Sequence, residues 1–196
     1  MAEQATTLAH ERAPLPRIRF RNLIWVALAI LVLIGAIALD EPWLLNFVHV
    51  IAGLLWTGID LFMGFVIGPI LRQLDLGARR AVITRLMPRM LFLMPTLAAV
   101  TTTAGWFLAK QGGYLALPFP ALWWVIAALA VVTVLTVQGF GILLPINIKV
   151  FLQMRKESPD LARVGRWMRI YIRVIASQGV MQVAIIVIMA RFVTGL

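Results

Sequence analysis

The feature that most constrains this chain is a series of long apolar runs that contain few charged residues. A helix needs about 20 predominantly apolar residues to cross the hydrocarbon core of a bilayer. Five runs approach or exceed this length, with bounds near residues 22–39, 43–71, 88–109, 120–152 and 170–192. Hydrophobic residues make up 62% of the sequence and charged residues 13%, whereas soluble domains hold about 45–50% and about 25%. The sequence therefore predicts an all-α integral membrane protein, with one bundle of five transmembrane helices over residues 22–196 and a polar tail over residues 1–21.

Basic residues are concentrated in three of the polar segments that flank these runs. They are Arg12, Arg17, Arg19 and Arg21, then Arg72, Arg79, Arg80, Arg85 and Arg89, then Arg155, Lys156, Arg163, Arg166 and Arg169. The alternate segments hold Asp40, Glu41 and Lys110. Because Lys and Arg accumulate on the cytoplasmic side, we expect a cytoplasmic amino terminus and an outer carboxyl terminus in a bacterial inner membrane. The net charge of +10 then reflects topology and contact with anionic lipid rather than nucleic-acid binding.

The residue types that are missing limit the chemistry that the chain can perform. The sequence has no cysteine and only two histidines, His10 and His49. Disulfides, iron–sulfur clusters, thiolate zinc sites and cysteine nucleophiles are therefore excluded. No catalytic residue can be singled out from the sequence, and whether the protein is an enzyme stays open.

The second apolar run carries the most informative residues. At about 100° per residue, His49, Gly53, Trp56 and Asp60 fall on one face of a helix. Ionisable residues inside a membrane span are costly and usually face the interior of the bundle. His49 therefore has three interpretations: a ligand of a metal or haem iron, a proton carrier, or a hydrogen-bond partner of a neighbouring helix.

Asp60 lies near the middle of the same run, and it needs either a partner or a proton. Arg173 is the first candidate for an ion pair and Lys149 is the second. Without such a cation, a desolvated carboxyl group can act as a proton carrier. Asp60, Gln138 and Arg173 thus define a candidate polar pathway. Further polar side chains supply a layer at the level of the bilayer midplane, namely Thr101, Ser177, Gln178 and Gln182.

The spacing of His49, Gly53, Trp56 and Gly58 follows the pattern H-x-x-x-G-x-x-W-x-G. This segment resembles a group of small bacterial membrane proteins that includes the copper-resistance D-like proteins, the amino-terminal domain of membrane-bound urate oxidase and the HemJ-type protoporphyrinogen oxidases. The likeness covers residues 43–110. The resemblance implies a b-type haem within the bundle, with His49 as an axial ligand of the iron.

Three functions are compatible with these observations. The first is a haem-b protein in membrane electron transfer or redox chemistry, in which His49 binds the iron, Gly53 makes room for the porphyrin and Trp56 packs against it. The second is a non-catalytic anchoring or accessory subunit of a larger membrane complex, with other subunits or further copies of the chain as partners. The third is a small transporter or proton pathway through His49, Asp60 and Gln138.

Overall fold

The computed structural model describes residues 21–156 and 158–195, and these residues form a bundle of long helices without any strand. The predicted polar tail falls almost entirely on residues 1–20, outside this range. The helices are α1 (Asn22–Ala38), α2 (Pro42–Gln73), α3 (Leu76–Gln111), α4 (Leu122–Met154) and α5 (Leu161–Val193). A short 3-10 turn, Tyr114–Ala116, lies between α3 and α4. The prediction of an all-α membrane protein is confirmed.

The five helices differ in whether they are long enough to cross a bilayer. Helices α2, α3, α4 and α5 have 32, 36, 33 and 33 residues and are apolar enough to cross. Helix α1 has 17 residues. At 1.5 Å per residue it is about 25 Å long, against a hydrocarbon core of about 30 Å. The predicted five spans are therefore corrected to four helices of spanning length and one shorter apolar helix.

Two helices begin earlier than their apolar runs indicate. Helix α3 starts at Leu76 rather than near residue 88, and the side chain of Asp75 accepts a 3.0 Å hydrogen bond from the Ala78 N–H. Helix α5 starts at Leu161 rather than near residue 170, and Asp160 accepts a 2.9 Å bond from the Arg163 N–H. A carboxylate in this position satisfies a free N–H of the first turn. Much of the basic sequence expected between spans is therefore helical.

Two arginines bring the basic segments together at one end of the bundle. Arg79 donates to the carbonyls of Leu71 and Leu74 at 2.7 and 3.1 Å, which caps the last turn of α2. The next residue, Arg80, donates to the carbonyls of Met154 and Lys156 at 2.9 and 2.6 Å. The α2–α3 turn and the α4–α5 connection therefore lie side by side. We call this part of the molecule the basic end.

Helix α3 is the central helix of the bundle. One apolar cluster joins it to α1 and α2, and a second cluster joins it to α4 near the basic end. Pro88 and Pro95 lie inside α3 without ending it. Proline is tolerated in membrane helices because neighbouring groups satisfy the freed backbone atoms. Two fully buried glutamines on α5, Gln178 and Gln182, give the opposite side of the interior a polar character.

Candidate functional site

His49 is held against the carboxyl-terminal third of α3. Its Nδ1 lies 2.9 Å from the carbonyl oxygen of Thr101. Gly105 lies one turn further along α3, and a Cβ atom there would be 2.7 Å from His49 Cε1 and 3.0 Å from Nδ1. Real Cβ atoms essentially never approach within 3.0 Å of such atoms. The imidazole can therefore occupy this position only because residue 105 has no side chain.

The contact with Thr101 determines which ring nitrogen of His49 carries the hydrogen. A carbonyl oxygen only accepts, so Nδ1 must be the donor, and in the neutral ring Nε2 then keeps its lone pair. Histidines that bind metals are usually held in this way, with the second nitrogen donating to a backbone carbonyl or a carboxylate. The ring is half-buried, so the surrounding helices do not enclose it completely. His49 is thus oriented to offer one nitrogen to a ligand.

The donor set around His49 decides what kind of metal group fits it. Within residues 21–156 and 158–195, no group of three or more His, Cys, Asp or Glu side chains is arranged to hold a metal ion. A bare ion bound here would have His49 as its one ligand of these residue types. A porphyrin brings four nitrogen ligands of its own and needs only one or two further ligands from the protein.

Gly53 and Trp56 occupy positions that differ from their predicted roles. A Cβ atom on Gly53 would lie 3.3 Å from Thr101 Cγ2, so this glycine serves the close approach of α2 to α3. The space beside it is filled by Thr101 rather than left for a porphyrin. Trp56 is buried in the apolar cluster of α1, α2 and α3, and it borders a cavity next to Asp60.

Asp60 finds an amide partner where the sequence predicted a cation. Gln182 Nε2 of α5 donates a 2.8 Å hydrogen bond to Asp60 Oδ2. In the described part of the chain, the only ion pair with an N–O distance of 4.0 Å or less joins Arg163 and Asp160. Arg173 and Lys149 are both exposed. The predicted ion pair of Asp60 with Arg173 or Lys149 is therefore wrong.

A small cavity of about 50 Å³ adjoins Asp60 between α2, α3, α4 and α5. Its polar lining includes Asp60, Asn147, Tyr171 and Gln178, and the remainder is largely apolar. The π-helical segment Val137–Leu143 of α4 lines it, and a second π-helical segment, Met63–Ile67, follows Asp60 along α2. Such π segments often accompany functional sites.

Gln138 belongs to the same polar layer between α4 and α5. Its Nε2 donates to Ser177 Oγ at 3.3 Å, and the neighbouring Gln178 Nε2 donates to the Leu135 carbonyl at 3.2 Å. The structure thus brings two members of the candidate pathway, Asp60 and Gln138, to the interior between α2, α4 and α5. The third member, Arg173, has an exposed side chain.

Two groups of site residues escaped the sequence reasoning. The contact of His49 with Gly105 joins residues far apart in the chain, and no local signal marks it. Tyr171 could have been found from the sequence, because Tyr171, Gln178 and Gln182 are separated by seven and four residues. Such spacing places polar groups on one face of a helix, and this face of α5 borders the Asp60 region.

Comparison with known proteins adds no relative: the chain matches no protein family, no curated protein and no solved structure. The resemblance described above therefore stays a prediction based on the motif in α2.

Proposed function

We propose that this protein binds one b-type haem through His49 and takes part in electron transfer or redox chemistry in the membrane. The observation that carries the proposal is the hydrogen bond from His49 Nδ1 to the Thr101 carbonyl, with Gly105 providing the space for the ring. This arrangement supports an axial ligand because it leaves Nε2 with a free lone pair in a fixed direction.

The roles of the individual residues follow from this geometry. His49 would bind the iron through Nε2. The Thr101 carbonyl fixes the ring orientation and makes Nε2 a stronger donor, since it accepts the hydrogen on the other nitrogen. When bound, the haem would supply a reversible one-electron centre. His49 is the only histidine in the described residues, so it is the one imidazole there that could hold the iron.

The decisive experiment is an absorption spectrum of the purified protein after reconstitution with haem. The wild type is expected to show a Soret band and a pyridine haemochrome at about one haem per chain, because one imidazole is available. His49→Ala should lose the band. Added imidazole should restore it in His49→Ala, since the missing ligand can enter from solution.

Two results would overturn the haem proposal. One is a wild-type protein that stays colourless after reconstitution, and the other is a band unchanged in His49→Ala. A colourless wild type that co-purifies with further membrane subunits would favour the accessory-subunit function instead.

We also propose that the basic end faces the cytoplasm of a bacterial inner membrane. The positive-inside rule supports this orientation, because the arginines of both segments at the basic end lie together.

Reporter fusions test this topology. Fusions after Asp75 and after Ser158 are expected to report the cytoplasm, whereas fusions after Asp40 and at the carboxyl terminus should report the outside. A reversed pattern at every position would contradict the orientation.

A further inference from the structure

Among residues 21–156 and 158–195, no cationic side chain forms an ion pair with Asp60. The side chains that border its cavity come from four helices: Trp56 on α2, Met90 and Met94 on α3, Asn147 on α4, and Tyr171 and Gln178 on α5, among others. None of the lining residues is Lys, Arg or His, and Tyr171 is the only other titratable group among them. An isolated carboxylate in such surroundings is costly, and taking up a proton is the usual way to remove that cost.

Gln182 provides a partner that suits both protonation states of Asp60. Its Nε2 donates to Asp60 Oδ2, as a carboxylate requires, whereas its own Oε1 is buried and has no hydrogen-bond partner. The residue is 1% exposed. If Asp60 carries a proton, rotation of the amide lets Oε1 accept the O–H hydrogen. The unpaired oxygen is thus available as an acceptor when Asp60 is protonated.

The cavity next to Asp60 has room for the water that would supply this proton. A water molecule requires about 10–15 Å³ of accessible volume and two or more polar partners. The cavity of about 50 Å³ meets both conditions through Asp60, Asn147 and Tyr171. Asn147 precedes the end of α4 at Met154, and Tyr171 follows the start of α5 at Leu161. On the side towards the basic end, Tyr171 packs against the apolar cluster that joins α3 and α4, so the polar lining is confined to the cavity itself.

We propose that Asp60 is a proton-binding site inside the bundle, which exchanges its proton with water in the adjoining cavity. In this step a hydronium ion gives up one proton, an O–H bond forms on an Asp60 oxygen and a neutral water remains. The π segment Val137–Leu143, which lines the cavity, and the segment Met63–Ile67, which follows Asp60 along α2, are the places where α4 and α2 can adjust locally as the charge changes. This site is separate from the haem proposal.

Infrared difference spectroscopy tests the proposal on the full chain without added haem. Spectra are recorded in sodium-free buffer over the accessible pH range. The expected result is a carbonyl stretch of a protonated carboxyl group that appears reversibly as the pH falls, shifts in deuterium oxide and is absent in Asp60→Asn. Asp75→Asn, which removes an exposed carboxylate, should leave the band in place. Gln182→Leu should shift its frequency, because the band then lacks its hydrogen-bond partner.

Two outcomes would overturn the proposal. One is the absence, at any pH, of a carboxyl band that depends on Asp60. The other is a change at Asp60 that follows the sodium concentration at constant pH, which would assign the site to a metal cation. Asp60→Asn is nearly isosteric, and helical content measured by circular dichroism checks that it folds.

Discussion

Replacement of Gly105 by alanine is expected to weaken haem binding at least tenfold while the bundle stays folded. The new Cβ atom would lie 2.7 Å from His49 Cε1, so the ring must rotate away and give up its bond to the Thr101 carbonyl. We expect haem affinity to fall at least tenfold, since loss of about 1.4 kcal/mol of ligand positioning suffices for that change. Haem titration followed by the Soret band measures the effect.

Gly58→Ala is the matched control for this experiment. Gly58 lies on α2 like His49, and a Cβ atom there would meet nothing within 4 Å. Both variants add one methyl group to a helix, so their intrinsic effects on helix stability are alike. Equal haem affinity of Gly105→Ala and the wild type would contradict the placement of His49 against Gly105. Equal loss in both variants would show that the effect has no connection with the imidazole.

Substitution of Gln182 by leucine is expected to lower the free energy of unfolding by about 3 kcal/mol. The change removes the donor to Asp60 Oδ2 and leaves a polar group without a partner in the interior. Breaking one side of a buried polar pair costs about 3–5 kcal/mol if the remaining group is charged and about 1–3 kcal/mol if it is neutral. Reversible unfolding in detergent micelles measures the difference.

The double variant Asp60→Leu with Gln182→Leu is the informative companion. When both members of the pair are replaced by apolar groups, no unpaired polar atom remains from this contact. We therefore expect the double variant to be more stable than Gln182→Leu alone. Additive losses from Asp60→Leu and Gln182→Leu would show that the two side chains do not interact.

The membrane class and the approximate position of α2–α5 could be predicted from the sequence, because each bilayer span requires a long apolar run. The first residues of α3 and α5, Leu76 and Leu161, could not be predicted, since they lie in basic segments where hydropathy carries no signal. There the helix is specified by capping carboxylates, Asp75 and Asp160, whose effect depends on local backbone geometry.

The individual residues of the candidate site could be predicted from the sequence, but the residues that they contact could not. His49 and Asp60 stand out because ionisable groups are rare inside membrane spans. Their partners, the Thr101 carbonyl and Gln182, lie on other helices and are selected by how the helices pack. Charge complementarity suggested Arg173 for Asp60, yet a long cationic side chain can extend outward to water or lipid headgroups instead.

Helix α1 is attached to the bundle through few buried residues, so its position is sensitive to the thickness of the bilayer. This helix has only Leu33 and Ala36 buried, and an apolar groove of about 320 Å³ separates part of it from α2 and α3. At about 25 Å it is also shorter than an average hydrocarbon core. If α1 lies across the membrane, a thicker bilayer increases this mismatch and must thin around the helix, whereas a thinner bilayer relieves it. The length and order of the lipid acyl chains therefore affect the side of the bundle that α1 occupies.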